Sequence, residues 1–150
     1  NGGKVLPTGT GQLKFSLPME NASIVKDFSS TELQENETLN QWEAHLSIDF
    51  SAENSNVFSV LDGKVTSVTY DDLEGSVITI EHSDGFVSKY ASLAKDVVVK
   101  NGDKVKAGQK IGDASNTAGF EAGLGAHLHF TLTKDGTEVD PNNYLDLQNK

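Results

Sequence analysis

From Trp42 onward the chain reads as short runs in which apolar and polar residues alternate, split by turn dipeptides. The runs are AHLSIDF at 44–50, NVFSVLDGKVTSVTY at 56–70, GSVITIEHSDGFVSKYASL at 75–93, DVVVKNGDKVKAGQKIG at 96–112 and AHLHFTLTKDGTEV at 126–139. A period of two places alternate side chains on opposite faces of a strand. Asp-Gly at 62–63, 84–85 and 135–136, with Asn-Gly-Asp at 101–103, falls between β-branched runs. Such dipeptides mark hairpins, because the tight turn needs positive φ. Almost no stretch carries a helical period. The pattern predicts an all-β, mostly antiparallel domain, barrel-like or sandwich-like.

The chain before Trp42 has a different character. Residues 1–12, NGGKVLPTGTGQ, are rich in Gly, Pro and Thr and read as a flexible leader. Residues 13–41 read as an N-terminal extension, with extended pieces at LKFSLP and SIVKDFS. They close on STELQENETLNQ at 30–41, a polar, acidic surface loop with at most one weak helical turn. The folded domain is expected over 42–150.

Composition narrows the function classes. With 22 acidic residues against 12 basic ones the net charge is −10, and every cation is a lysine. Nucleic acid and anionic membrane surfaces call for basic patches and arginine forks, so neither is an expected partner. There is no cysteine, which excludes disulfides and any thiolate-held zinc. No run approaches the roughly 18 apolar residues of a membrane span. Without an initiating Met or a signal-peptide pattern, the chain reads as a soluble part of a longer protein, any membrane anchor lying outside it.

The chemistry-bearing residues sit on two of the alternating runs. On a strand, His45, Ser47 and Asp49 share one face, with Leu46, Ile48 and Phe50 on the other. In GAHLHF, at 125–130, His127 and His129 point one way while Leu128 and Phe130 point the other. Two imidazoles aimed at one spot suit a metal, a proton relay or both. The plain alternative is a solvated strand face. If the two strands are neighbours, two His and one Asp can hold Zn²⁺ with a fourth position left for water, the pattern of catalytic sites.

Taken in order, HLSID, GKVTSV, VITIEHSDGFVSKYASL, VKNGDKVKAGQKIG and GAHLHF, with the closing DPNNYL, resemble the LytM-type metallopeptidases of family M23. The resemblance runs from about Trp42 to Leu145 and implies a LytM-like β-sheet domain with a central groove. It implies His45, Asp49 and His129 as Zn²⁺ ligands and His127 as the general base. In the family the substrate is the peptide cross-link of bacterial peptidoglycan.

This chain departs from the family pattern at three places. YASL stands where the family has YxHL, so Ser92 occupies the position of a second catalytic histidine. A serine donates a neutral hydrogen bond but supplies no positive charge. A general acid–base group contributes about 10²–10⁴-fold, so a weak or inactive peptidase is expected. Ser47 replaces a glycine between the first two ligands, and GDASNTAGFEAG before HLH lacks the regular GxTG spacing. The resemblance gives His82 no ligand role and leaves it structural or exposed. Trp42 and Tyr90 read as core or rim residues, and Lys64 and Lys104 as charges that solvate hairpin turns.

LPMENASIVKDFS and TLNQWEAHLSIDF further resemble a sporulation branch of the family. Its members are anchored in the forespore membrane, face the intermembrane space and bind stage III sporulation protein AH. That resemblance implies an interaction scaffold with a stage III sporulation protein AH-like partner and an extracytoplasmic location. The rival readings are an active zinc-dependent peptidoglycan endopeptidase and, from VKNGDKVKAGQKIG, a biotinyl or lipoyl carrier. A carrier has no use for HxxxD with HxH.

Overall fold

The computed structural model describes residues 15–20, 22–36, 41–52, 55–71, 75–114 and 127–145; for 29–36, 41–45 and 71 it describes the backbone alone. The strands are β1 (Ser23–Lys26), β2 (Ser29–Asn36), β3 (Gln41–His45), β4 (Ile48–Ser51), β5 (Asn56–Phe58), β6 (Gly63–Asp71), β7 (Gly75–Glu81), β8 (Phe86–Leu93), β9 (Lys104–Val105), β10 (Lys110–Asp113), β11 (Leu128–Lys134) and β12 (Thr137–Val139). Eight of them form one sheet in the order β9-β6-β7-β8-β11-β4-β1, with β12 also paired to β11. Every pairing in it is antiparallel. The expected all-β, antiparallel class is what the chain adopts.

Alternation explains the buried face. On β11, Leu128, Phe130 and Leu132 are fully buried, while His129, Thr131 and Thr133 between them stay partly open. Leu128 pairs with Phe50 and Phe130 with Ile48 on β4, and Phe130 with Tyr90 on β8. The Phe130 ring lies 5.3 Å from that of Tyr90 and 6.4 Å from that of Phe50. At roughly 1.5–3 kcal/mol per fully buried large side chain, this layer holds β8, β11 and β4 in register. Register decides function here, since a slip of one residue would turn His129 into the core.

Two of the Asp-Gly dipeptides behave as the pattern predicts. Asp84 and Gly85 (φ 59° and 80°) join β7 to β8, and Asp135 and Gly136 (φ 53° and 85°) join β11 to β12. Asp62-Gly63 is different and corrects the expectation of a hairpin. Gly63 opens β6, which pairs with β7 and β9 rather than with β5. Its glycine is required by close approach instead: an added Cβ would overlap the Glu81 carbonyl and lie 2.6 Å from His82 Nδ1.

Two further expectations change. Of the stretch read as a surface loop at 30–41, residues 30–36 belong to β2 and Gln41 opens β3, and the two strands pair as a ribbon. Such a ribbon is held by backbone hydrogen bonds, so it leaves no apolar alternation to read. AHLSIDF is not one strand but two, broken at Leu46–Ser47 between β3 and β4. Leu46 therefore does not join Ile48 and Phe50 in the core and is 40% exposed.

Part of the segment before Trp42 is built into the sheet domain. β1 pairs with β4, and Met19 is buried. Phe15 packs edge-on to Phe86 at 5.3 Å and tilts against Tyr144 at 5.4 Å, tying both ends of the described chain to the start of β8. The leader 1–12, most of GDASNTAGFEAG and the side chain of Trp42 lie outside the described residues.

Candidate metal centre and groove

The site grows from one cross-strand row. His129 on β11 stands directly opposite Asp49 on β4 and, on its other side, opposite Ala91 on β8. Residues opposite one another in an antiparallel pair share a face, here the face away from the aromatic core. His129 Nδ1 lies 2.6 Å from Asp49 Oδ1, and Nε2 lies 2.9 Å from Ser47 Oγ. Asp49 is fully buried, while the His129 side chain is 22% exposed. The ring thus spans from a buried carboxylate to the opening of a groove.

His127 lies just before β11 and is fully buried. Ser92 is also fully buried, in β8, with φ at 64°. A non-glycine residue in this left-handed region is uncommon and holds local strain. The register between β7 and β8 shifts at this point, between the pairs Ser76–Leu93 and Ile78–Tyr90. The strand bulges there, one residue past Ala91 in the His129 row, and bulges re-aim side chains beside sites. Sequence alternation alone gave no sign of this kink.

His45 ends β3, where its backbone pairs with Ser29. Its side chain lies outside the described residues, and among the described residues no three metal-ligating groups gather. The structure brings Asp49 and His129 together, puts Ser47 on the same imidazole, and buries His127 and Ser92. As a donor set, a buried carboxylate facing an imidazole nitrogen fits a divalent cation of the zinc type, which takes His nitrogen and Asp oxygen.

Beside this row runs a groove of about 310 Å³ lined by Leu46, Ser47, Thr79, Val87, Lys89, His129, Thr131, Thr133 and Glu138. Its floor is the outward face of β7, β8 and β11. Thr131 pairs with Lys89, Lys89 with Thr79, and Thr133 with both Val87 and Glu138. Ser47 was expected on the ligand face, and Leu46 joins it because of the break between β3 and β4. The floor residues carry no motif and become legible only once the strand register is known.

His82 belongs to a separate buried network. Its Nδ1–H donates to the Asp62 carbonyl at 2.8 Å, and Nε2 lies 2.7 Å from Ser88 Oγ. Ser88 Oγ is 2.8 Å from the Tyr90 hydroxyl, which accepts from Val60 N–H at 3.0 Å. Burial lowers the His82 pKa, against opposing effects of the Asp62 carbonyl and charge. Burial likewise pushes the Tyr90 phenol up to about 12. Both residues are structural, as the sequence suggested for His82 and Tyr90.

The profile of Peptidase family M23 matches residues 43–141, and the chain belongs to that family. It is 31% identical over 159 residues to stage II sporulation protein Q of Bacillus subtilis (strain 168), spanning 97% of this chain and 56% of the relative. The chain therefore spans about half of that relative. The structure of the SpoIIQ–SpoIIIAH pore-forming complex superposes with a TM-score of 0.76 at 31% identity, covering 89% of this chain and 91% of that one. A zinc-containing peptidase from Vibrio cholerae superposes with a TM-score of 0.71 at 28% identity, covering 86% of this chain and 39% of that one.

Proposed function

We propose that the chain is a degenerate LytM-type domain that acts as an interaction scaffold for a stage III sporulation protein AH-like domain, in the extracytoplasmic space at a forespore membrane. The observation that carries the reading is the match to a chain of the SpoIIQ–SpoIIIAH complex, which covers 89% of this chain and 91% of that one. Ser92 supports it from the chemical side. A buried serine at the position of a family histidine cannot place positive charge beside an attacked carbonyl. An interface of this kind should bury at least about 1,000 Å².

Zinc fits this reading as a bound ion held by His45, Asp49 and His129. When bound, it would supply Lewis-acid polarisation of a carbonyl. Asp49 contributes the buried charge, and His129 an imidazole already turned toward it. His127, fully buried two residues before His129, is the residue for proton transfer in the family's scheme. The Asp49–His129 geometry and the likeness to a zinc-containing peptidase favour a second reading, a zinc-dependent peptidoglycan endopeptidase.

Digestion of purified cell wall separates the two. The scaffold reading expects muropeptide release by the zinc-loaded chain about 10²-fold or more below that of a family peptidase with the histidine in place. Release at the peptidase's own rate would overturn it.

A further inference from the structure

Ser47 sits in the break between β3 and β4, is 4% exposed, and meets the His129 ring from the groove side. The ring is therefore held at both nitrogens, by Asp49 at Nδ1 and by Ser47 at Nε2. A half-turn about the Cβ–Cγ bond exchanges Nδ1 with Cδ2 and Nε2 with Cε1, so it would break both contacts at once. A partner at each nitrogen makes the two orientations unequal.

The chemical type of the second partner matters. With the proton on Nδ1 and donated to Asp49, Nε2 is an acceptor and needs a donor. With Nδ1 offering its lone pair to a cation, Nε2 carries the proton and needs an acceptor. A hydroxyl serves both states, whereas a carbonyl serves one and glycine neither. Partners of this kind fix the tautomer and aim of metal-bound histidines.

We infer that Ser47 is a positioning residue for His129, holding Nδ1 toward Asp49 whichever ring nitrogen carries the proton. Its consequence for metal affinity rests on the zinc reading above; the orientation of the ring does not. Ser47 thus occupies the head of the groove and at the same time steadies the ligand there.

The test is ¹⁵N-resolved NMR of the His129 ring in the metal-free 150-residue chain, for wild type, Ser47→Ala, Ser47→Gly and Ser47→Thr, followed by zinc titration. Backbone amide spectra verify that each variant is folded. The wild type and Ser47→Thr should show one dominant His129 tautomer. Ser47→Ala and Ser47→Gly should shift the Nε2 resonance, which loses its hydroxyl partner, and should weaken zinc binding about 10–100-fold. A wild type that takes no zinc but shows the resonance shift in Ser47→Ala keeps the positioning role while removing the zinc reading. His129 nitrogen resonances unchanged in both Ser47→Ala and Ser47→Gly would overturn the inference.

Discussion

Asp49 and His129 face each other across β4 and β11 with 2.6 Å between Oδ1 and Nδ1, and the carboxylate is fully buried. The apolar pairs Leu128–Phe50 and Phe130–Ile48 on either side fix that register. A buried carboxylate is stabilised by the imidazole beside it, and removing one partner of such a pair typically costs about 3–5 kcal/mol. Solvent reaches the His129 ring, so His129→Ala should fall at the low end, about 3 kcal/mol, in metal-free chain at neutral pH. Urea unfolding measures it. A loss under about 0.5 kcal/mol, the range of an ordinary surface change, would mean that the pair is not coupled.

Zinc should raise stability through the folded state alone. Binding adds RT ln(1 + [L]/Kd), about 2.7 kcal/mol at a hundredfold excess over Kd. His45→Ala and Asp49→Asn should lose that increment. His127→Ala should keep it, even though truncating a fully buried ring lowers the metal-free melting temperature. The quantity to compare is therefore the zinc-induced rise in Tm within each variant. If His127→Ala loses the rise as completely as His45→Ala does, the roles within HLH are misassigned.

Acid should weaken the fold through His82. Its folded pKa lies below the unfolded value of 6.5, with burial the largest cause. A group depressed on folding gives stability that is present above the unfolded pKa and is lost as pH falls through the folded one. Between about pH 8 and pH 5, the wild type should lose stability more steeply than His82→Gln. Parallel curves would remove His82 from the account. Tyr90 acts at the other extreme. A phenol raised to about 12 from 10 keeps its contribution below pH 10 and loses it as pH climbs toward 12.

Gly63→Ala should destabilise by about 3 kcal/mol, the upper range for overpacking. The new Cβ would press on the Glu81 carbonyl, His82 Nδ1 and Ile80 Cγ2 together, and the first is backbone. Thermal unfolding of Gly63→Ala beside Gly102→Ala separates crowding from turn strain, since Gly102 (φ 97°) has nothing within 4 Å. A smaller loss at Gly63 than at Gly102 would contradict the packing argument.

Much of the site was legible because strand alternation is local. Once Leu128 and Phe130 are assigned to the core, His129 must face the other way, and the same holds for Asp49 between Ile48 and Phe50. What the sequence hid depended on pairing. The polar strands β2 and β3 match through backbone groups, which leave no trace in side-chain pattern. The break at Leu46–Ser47 marks where the chain passes from the β2–β3 ribbon to the main sheet, and alternation carried through it by coincidence. The positive φ of Ser92 arises at a register shift between β7 and β8, and neither strand encodes it alone. Gly63 resembled a turn glycine and proved to be a contact glycine, because what crowds it is the end of β7 and His82, distant in sequence.

Titration calorimetry of this chain against a purified stage III sporulation protein AH-like domain measures the proposed association. The scaffold account predicts one-to-one binding with Kd of about 1 μM or tighter, near 8 kcal/mol, and the same affinity after chelation of zinc. No heat of binding and separate elution of the two domains at tens of micromolar, together with efficient muropeptide release by the same preparation, would contradict it.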